Sequence, residues 1–271
     1  MKTIRKAVFS GSFYPSETQD LKNQLAAVFD NIPLYSHQNI KGLICPHAGI
    51  MYSGRTAAYS FSTLKNEKPE NIVIIGPSHS YAFNGISVLN ADAYETPLGL
   101  VPVNRLLTAK LLNSSSITYK KNAHRNEHSI EVLLPFLQYC LNDFFSVTGI
   151  VMGSQSASSV IDLSKLLIEN CDIEKTLIIA SSDFSHFYTA QQAQEMDKRA
   201  LDLIKTKAAG IFYEEQVNKR IQCCGFGPIL VLDRVMKAFN IANVTVRNYS
   251  HSGEVTGDMN SVVGYASVVY D

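Results

Sequence analysis

Short, dense apolar runs punctuate the chain, and the spacing of apolar residues between them is helical. Gly42–Cys45, Ile72–Ile75 and Thr176–Ala180 are nearly continuous apolar stretches of four or five residues. Runs of that length, bounded by turn residues, are the mark of strands buried on both faces. Ser146–Met152 is of the same kind, and Ile86–Leu89, Val244–Asn248 and Val262–Val269 read as further strands. Between them the period changes to 3.6. Leu21, Leu25, Val28 and Phe29 predict a helix, with Ser16 and Gln19 as its capping box. Tyr52–Leu64, Asn104–Leu112 (Asn104 as cap), Ser129–Leu141, Ala157–Glu169, Ala190–Lys205, Gly210–Lys219 and Pro228–Phe239 predict helices as well. Pro135 should kink the Ser129–Leu141 helix, and Ala91–Pro102 reads as a long loop.

Strands alternating with helices predict a three-layer α/β sandwich with a largely parallel central sheet. The unit from Gly42 to Ile75 has the size of a βαβ crossover, which makes its two strands parallel and places them as neighbours. The chain shows no internal repeat and no Gly/Pro-rich linker, so residues 1–271 are expected to form one domain.

Sheets of this kind bind ligands beyond the carboxyl ends of their strands. Three of the runs lead into a histidine at that edge: His47 in CPHAG, His79 in GPSHS and His186 in SSDFSH, with Asp183 before the last. A single loop histidine most often just bonds to nearby backbone. Three on one edge, with Pro46 and Pro77 stiffening two of the loops, point to a preorganised site. Two imidazoles plus one anionic ligand is a common plan for a catalytic metal. QCCGFGP supplies a candidate third ligand in Cys224, just before a predicted helix whose dipole and free N–H groups would lower a thiol pKa. Gly225 and Gly227 permit close backbone approach there. Cys45, Cys140, Cys171 and Cys223 read as core filling. In HRNEHSIE, His124 and His128 stand at i, i+4. His128 and Glu131 are three apart, and the pair is expected to share a helix face and point into the cleft. His37 lies in a polar loop and reads as solvated.

Composition narrows the classes. Lys plus Arg equals Asp plus Glu at 24 each, so the basic excess of a nucleic-acid binder is missing. No apolar run approaches the ~20 residues that span a membrane. The five cysteines are odd in number and lack framework spacing, which points to reduced thiols and a cytoplasmic protein. P-loop and nucleophile-elbow motifs are missing from the sequence.

FSGSFYP, PHAGIMYSG, GPSHS, YETP, NEHSIEVLLPFL, SSDFSH and CGFGP occur in the order found in the Memo family, which the chain resembles. Its prokaryotic members are also called AmmeMemoRadiSam system protein B, and the resemblance runs from about residue 7 to the C-terminus. It implies a fold like that of the class III extradiol dioxygenases, which use non-haem Fe(II). It also implies metal ligands at His47, His79 and Cys224, and an acid/base histidine at His186. Animal members are linked to signalling and to copper or iron redox chemistry. Prokaryotic members are associated with radical-SAM and AMMECR1-type proteins, which the resemblance implies as partners here. The resulting expectation is a metal-dependent redox enzyme using Fe(II) or Cu, or Zn in their place. Asp183 would orient His186 or a water, with Tyr52, His128 and Glu131 in the pocket around a small-molecule or peptide ligand. Two rivals stand beside it: a non-catalytic peptide- or partner-binding module in the same cleft, and a zinc-dependent hydrolase.

Overall fold

The computed structural model describes residues 2–33, 35, 39–141 and 145–271; His37 lies outside them. Its strands are β1 Ile4–Arg5, β2 Gly42–Cys45, β3 Asn71–Pro77, β4 Ile86–Val88, β5 Ala93–Thr96 and β6 Gly99–Pro102. They continue with β7 Ile117–Thr118, β8 Ser146–Met152, β9 Thr176–Ser181, β10 His186–Tyr188, β11 Val244–His251 and β12 Val262–Tyr270. The helices are α1 Thr18–Phe29, α2 Ile50–Phe61, α3 Arg105–Leu112, α4 Lys121–Arg125, α5 His128–Glu131 and α6 Leu134–Cys140. After them come α7 Ala157–Asn170, α8 Ala190–Lys205, α9 Ala209–Val217, α10 Phe226–Ala238 and α11 Gly253–Thr256.

The main sheet runs β10-β12-β2-β9-β3-β8-β4-β7, with β11 paired to β12. Its centre, β2-β9-β3-β8, is all parallel, while β12 and β4 join it antiparallel. Pleating divides each central strand between two cores. Ile72 and Ile74 face α1, α2 and α6, and Val73 and Ile75 face α7 and α10. This double burial is why these strands are apolar at every position rather than at alternate ones.

Several expectations need correction. β2 and β3 are parallel but not neighbours, because β9 lies between them: Leu43 pairs Ile179 and Leu177 pairs Ile72. The chain does not return beside β2 until β9, far along the sequence, and no local signal encodes that insertion. The Ala91–Pro102 segment is not a loop but the β5-β6 hairpin, with β1 paired to β5 in a small second sheet. Ser16 does not cap α1: Glu17 stands at the N-cap and makes no side-chain bond. The Ser129–Leu141 helix is divided into α5 and α6, and Pro135 sits in the first turn of α6. Proline is tolerated there because that N–H has no helical acceptor, so it starts a helix instead of kinking one. The Asn104 cap forms as expected, its side chain accepting from Leu107 N–H at 2.9 Å.

Candidate metal centre

The carboxyl ends of β2, β9 and β3 are level, with Cys45 opposite Ser181 and Ala180 opposite Ile75. The loops carrying His47, Asp183 and His79 therefore leave the sheet side by side. Ring centroids are 5.1 Å apart for His47 and His79, 5.3 Å for His47 and His128, and 4.4 Å for His79 and His128. One ligand nitrogen from each of the three lies within 4.8 Å of the other two.

Second partners orient two of these rings. His47 Nδ1 is 2.7 Å from Ser181 Oγ, whose only hydrogen goes to the Ser129 carbonyl. Nδ1–H must then donate to Ser181, which leaves Nε2 with a free lone pair. His79 Nδ1 lies 2.9 Å from Glu127 Oε1, and the His79 backbone N–H donates to Glu127 Oε2 at 2.6 Å. Burial alone would raise the Glu127 carboxyl, but the bonds from His79 and the Ser129 N–H outweigh it and hold the acid down at about 2. An ionised Glu127 requires His79 to donate from Nδ1, which in the neutral ring leaves Nε2 as the ligand atom. Carboxylate–histidine pairs of this kind fix a metal-binding tautomer. Burial holds His47 well below the ordinary imidazole range, and His79, His128 and His186 push it the same way. Burial, reinforced by His79 and opposed by Glu127, takes His128 down to about 4. At neutral pH both are uncharged, the state in which imidazole can ligate. The donor set therefore fits a metal ion.

Cys224 reaches the same cluster. Its Sγ is 3.2 Å from His47 Nε2 and accepts the Asp183 N–H at 3.2 Å. Since that Nε2 has no hydrogen, the thiol S–H is the donor. The expected low thiol pKa is not found: burial pushes the Cys224 thiol up, and the Asp183 carboxylate adds to it. A bound cation would reverse that sign. Gly225 is required beside it, because a Cβ there would stand 2.3 Å from the Ser181 carbonyl oxygen. Gly227 likewise lets its N–H approach Gln155 Oε1 at 2.7 Å, while Gln155 Nε2 donates to the Cys224 carbonyl. Cys223 points away and is buried in the core. All five cysteines are free.

Asp183 sits beneath His47. Its carboxylate accepts the His47 N–H at 2.8 Å and lies 4.0 Å from His47 Nε2. Burial pushes it up to about 6, against the backbone N–H bonds of His47 and Ala48 that lower it. These contacts shape the His47 turn; the expectation that Asp183 orients His186 has no hydrogen bond behind it among the described residues. His186 begins β10, and its N–H donates to Gln222 Oε1 at 2.9 Å. Burial lowers its pKa, the Phe184 backbone opposes this, and the charge of His79 adds to the lowering. Tyr52, in the first turn of α2, is 38% exposed.

Glu131 departs from its expected place. Its carboxylate pairs with Arg5 and accepts from Tyr14 Oη at 2.5 Å and from the Val8 and Phe9 N–H groups. It faces the N-terminal segment, not the cleft, held there by Arg5, Tyr14 and the two backbone N–H groups. His124 and His128 share no helix: α4 ends at Arg125, and His124 is buried against Ser87 Oγ at 3.0 Å. Glu127, Ser181, Phe9 and Phe13 were not anticipated. Phe13 and Phe9 pack on His128 with centroids 4.8 and 5.4 Å away. Glu127 was open to inference, since a carboxylate beside a candidate ligand histidine is the usual orienting partner.

An α/β protein with a histidine-rich cleft at the carboxyl edge of a parallel sheet is the class that fold and site define. Residues 5–269 match the family model described as Memo-like protein. The chain is 37% identical over 270 residues to a MEMO1 family protein of Methanosarcina barkeri, covering 99% of this chain and 100% of that one. It is 35% identical over 267 residues to one of Thermoplasma volcanium, covering 98% of each. A solved structure of an uncharacterized protein from Escherichia coli K12 is similar at TM-score 0.55 and 16% identity, covering 86% of this chain and 100% of that one; it supports the fold alone. The chain belongs to the Memo family. Among the described residues, no helix is long and apolar enough to cross a membrane.

Proposed function

We infer that this Memo-family chain is a metal-dependent redox enzyme whose ion, Fe(II) or Cu, is held by His47 and His79 with Cys224. The observation that carries the reading is the pair of Nε2 lone pairs, set by Ser181 and Glu127, turned into one cluster. The soft sulfur of Cys224 in place of a carboxylate favours Cu(I) or Zn relative to a two-histidine, one-carboxylate iron site. When bound, iron or copper supplies electron transfer and open positions for substrate. The chain's own residues do the rest. Ser181 and Glu127 hold the two ring tautomers. Asp183 fixes the His47 turn. His186, at the rim, accepts or donates a proton at its ring nitrogen. Phe9 and Phe13 pack against the His128 ring and hold it in place. The substrate is a small molecule or peptide admitted at the cleft, and the family resemblance adds radical-SAM and AMMECR1-type proteins as partners.

His128 favours a second reading. Three imidazoles within 4.8 Å make the all-histidine ligand set found in zinc enzymes that activate water, with Cys224 then a neighbour rather than a ligand. The test is metal content by mass spectrometry after purification without air or chelator. Wild type is compared with His47→Ala/Cys224→Ala and with His128→Ala. Near-stoichiometric iron or copper, lost in the first variant and kept in the second, is expected. Zinc lost in His128→Ala supports the hydrolase. No metal above the variant background would sink both and leave a non-catalytic binding module.

A further inference from the structure

Between the β1 segment and α4 lies a cavity of about 380 Å³ that the metal centre does not use. Four cationic residues line it, Arg5, Lys6, Lys121 and Arg125, and no Asp or Glu among the described residues does. Lys6 is paired to Glu95 and Arg5 to Glu131. Lys121 and Arg125 are different: they stand one turn apart on α4, both exposed, with no acidic partner among the described residues. Like charges at i, i+4 repel, and a helix of five residues gains little to offset that.

The floor of the cavity is a rigid donor. Arg5 is 8% exposed, and its guanidinium is spent on the carbonyls of Lys6, Glu127 and His124 and on Glu131. A guanidinium has five N–H bonds, so four acceptors leave one unspent in a fixed direction. The remaining wall is mostly apolar and aromatic, with Ile4, Leu89 and the ring of Tyr119, and carries Thr3 and His124 as its polar members. A concave space of this size, mostly apolar with a few convergent polar groups, has the character of a small-molecule site.

We propose that this cavity binds a small organic anion, its phosphate or carboxylate head between Lys121, Arg125 and the spare Arg5 N–H and its body against Ile4, Leu89 and Tyr119. An anion placed there relieves the repulsion along α4 and meets the remaining Arg5 donor. The site does not depend on the metal reading, although Arg5 touches both: it donates to the carbonyl of Glu127, the residue whose carboxylate holds His79.

Isothermal titration calorimetry at fixed, low ionic strength tests it, with phenyl phosphate, benzoate and inorganic phosphate as probes. Saturable one-to-one binding of phenyl phosphate or benzoate to wild type is expected, the tighter of the two identifying the head group. Lys121→Ala/Arg125→Ala should weaken it roughly tenfold or more, as losing two charged partners implies. Lys110→Ala/Lys205→Ala, which removes as much charge elsewhere, should not. Arg125→Gln alone supplies an intermediate loss, and circular dichroism verifies folding of each variant. His47→Ala/His79→Ala should bind as wild type does. The proposal is overturned if no probe saturates, if the Lys121/Arg125 change has no more effect than the Lys110/Lys205 control, or if binding disappears only with the two histidines.

Discussion

Single residues decide how the ligand histidines are presented. Glu127→Gln removes the charge that holds the His79 tautomer. It is expected to weaken metal binding by about 10–100-fold while leaving the ligands in place, read by competition with a chelator of known affinity. Cys224 carries its own signature. Its thiol is pushed up by burial, so it is protonated at neutral pH, and a sulfur ligand must shed that proton. Metal affinity should therefore rise with pH by up to about tenfold per unit around neutrality, and Cys224→Ala should flatten the slope. His128, held at about 4 and so already neutral, adds no such slope, and an unchanged pH dependence in Cys224→Ala would favour the three-imidazole set. At Gly225 the constraint is space rather than charge. A Cβ 2.3 Å from a backbone oxygen cannot be relieved by a rotamer, so Gly225→Ala is expected to lower stability by about 1–3 kcal/mol in urea unfolding.

Elements are joined at two buried carboxylates, and each has a measurable consequence. Glu131, on α5, gathers β1 and the Phe9–Tyr14 turns through Arg5, Tyr14 and two backbone N–H groups. Removing one partner of a buried pair leaves an uncompensated charge, so Glu131→Ala should cost about 3–5 kcal/mol. Limited proteolysis should then cut first within residues 6–15, since those turns lose their anchor. Asp197, on α8, accepts from the N–H and hydroxyl of Ser185 and from Tyr249 Oη on β11, tying the His186 loop to two elements. Burial raises it to about 6 despite those bonds. A folded pKa above the unfolded one means the folded state holds the proton more tightly. The associated stability is complete below about pH 4 and is lost as pH rises through about 6. Asp197→Asn should lack this fall, so its stability deficit relative to wild type should shrink from about pH 4 to about pH 7; a constant difference would refute the shift.

For the whole molecule, one sheet separates two cores, and the strands between them are buried on both faces. Ile74 faces the α1-α2-α6 side and Ile75 the α7-α10 side, yet both are on β3. Ile74→Ala and Ile75→Ala are each expected to cost about 2–5 kcal/mol. Both should shift one common unfolding transition, because neither core can lose its layer while the shared strand stays folded. Two separate transitions would show that the layers unfold independently.

The apolar runs at Gly42–Cys45, Ile72–Ile75 and Thr176–Ala180 were enough to establish the strands, the α/β class and the edge carrying His47, His79 and His186, because burial on both faces writes itself as continuous hydrophobicity. The seven ordered motifs were enough for the family. The neighbour relations were another matter. The insertion of β9 between β2 and β3, the pairing of β1 with β5 and the turn of Glu131 away from the cleft all depend on contacts between residues far apart in the chain. A local pattern records which way a side chain must face to be buried. It does not record which distant segment buries it, and the free energy of long-range packing, summed over the whole fold, settled those choices.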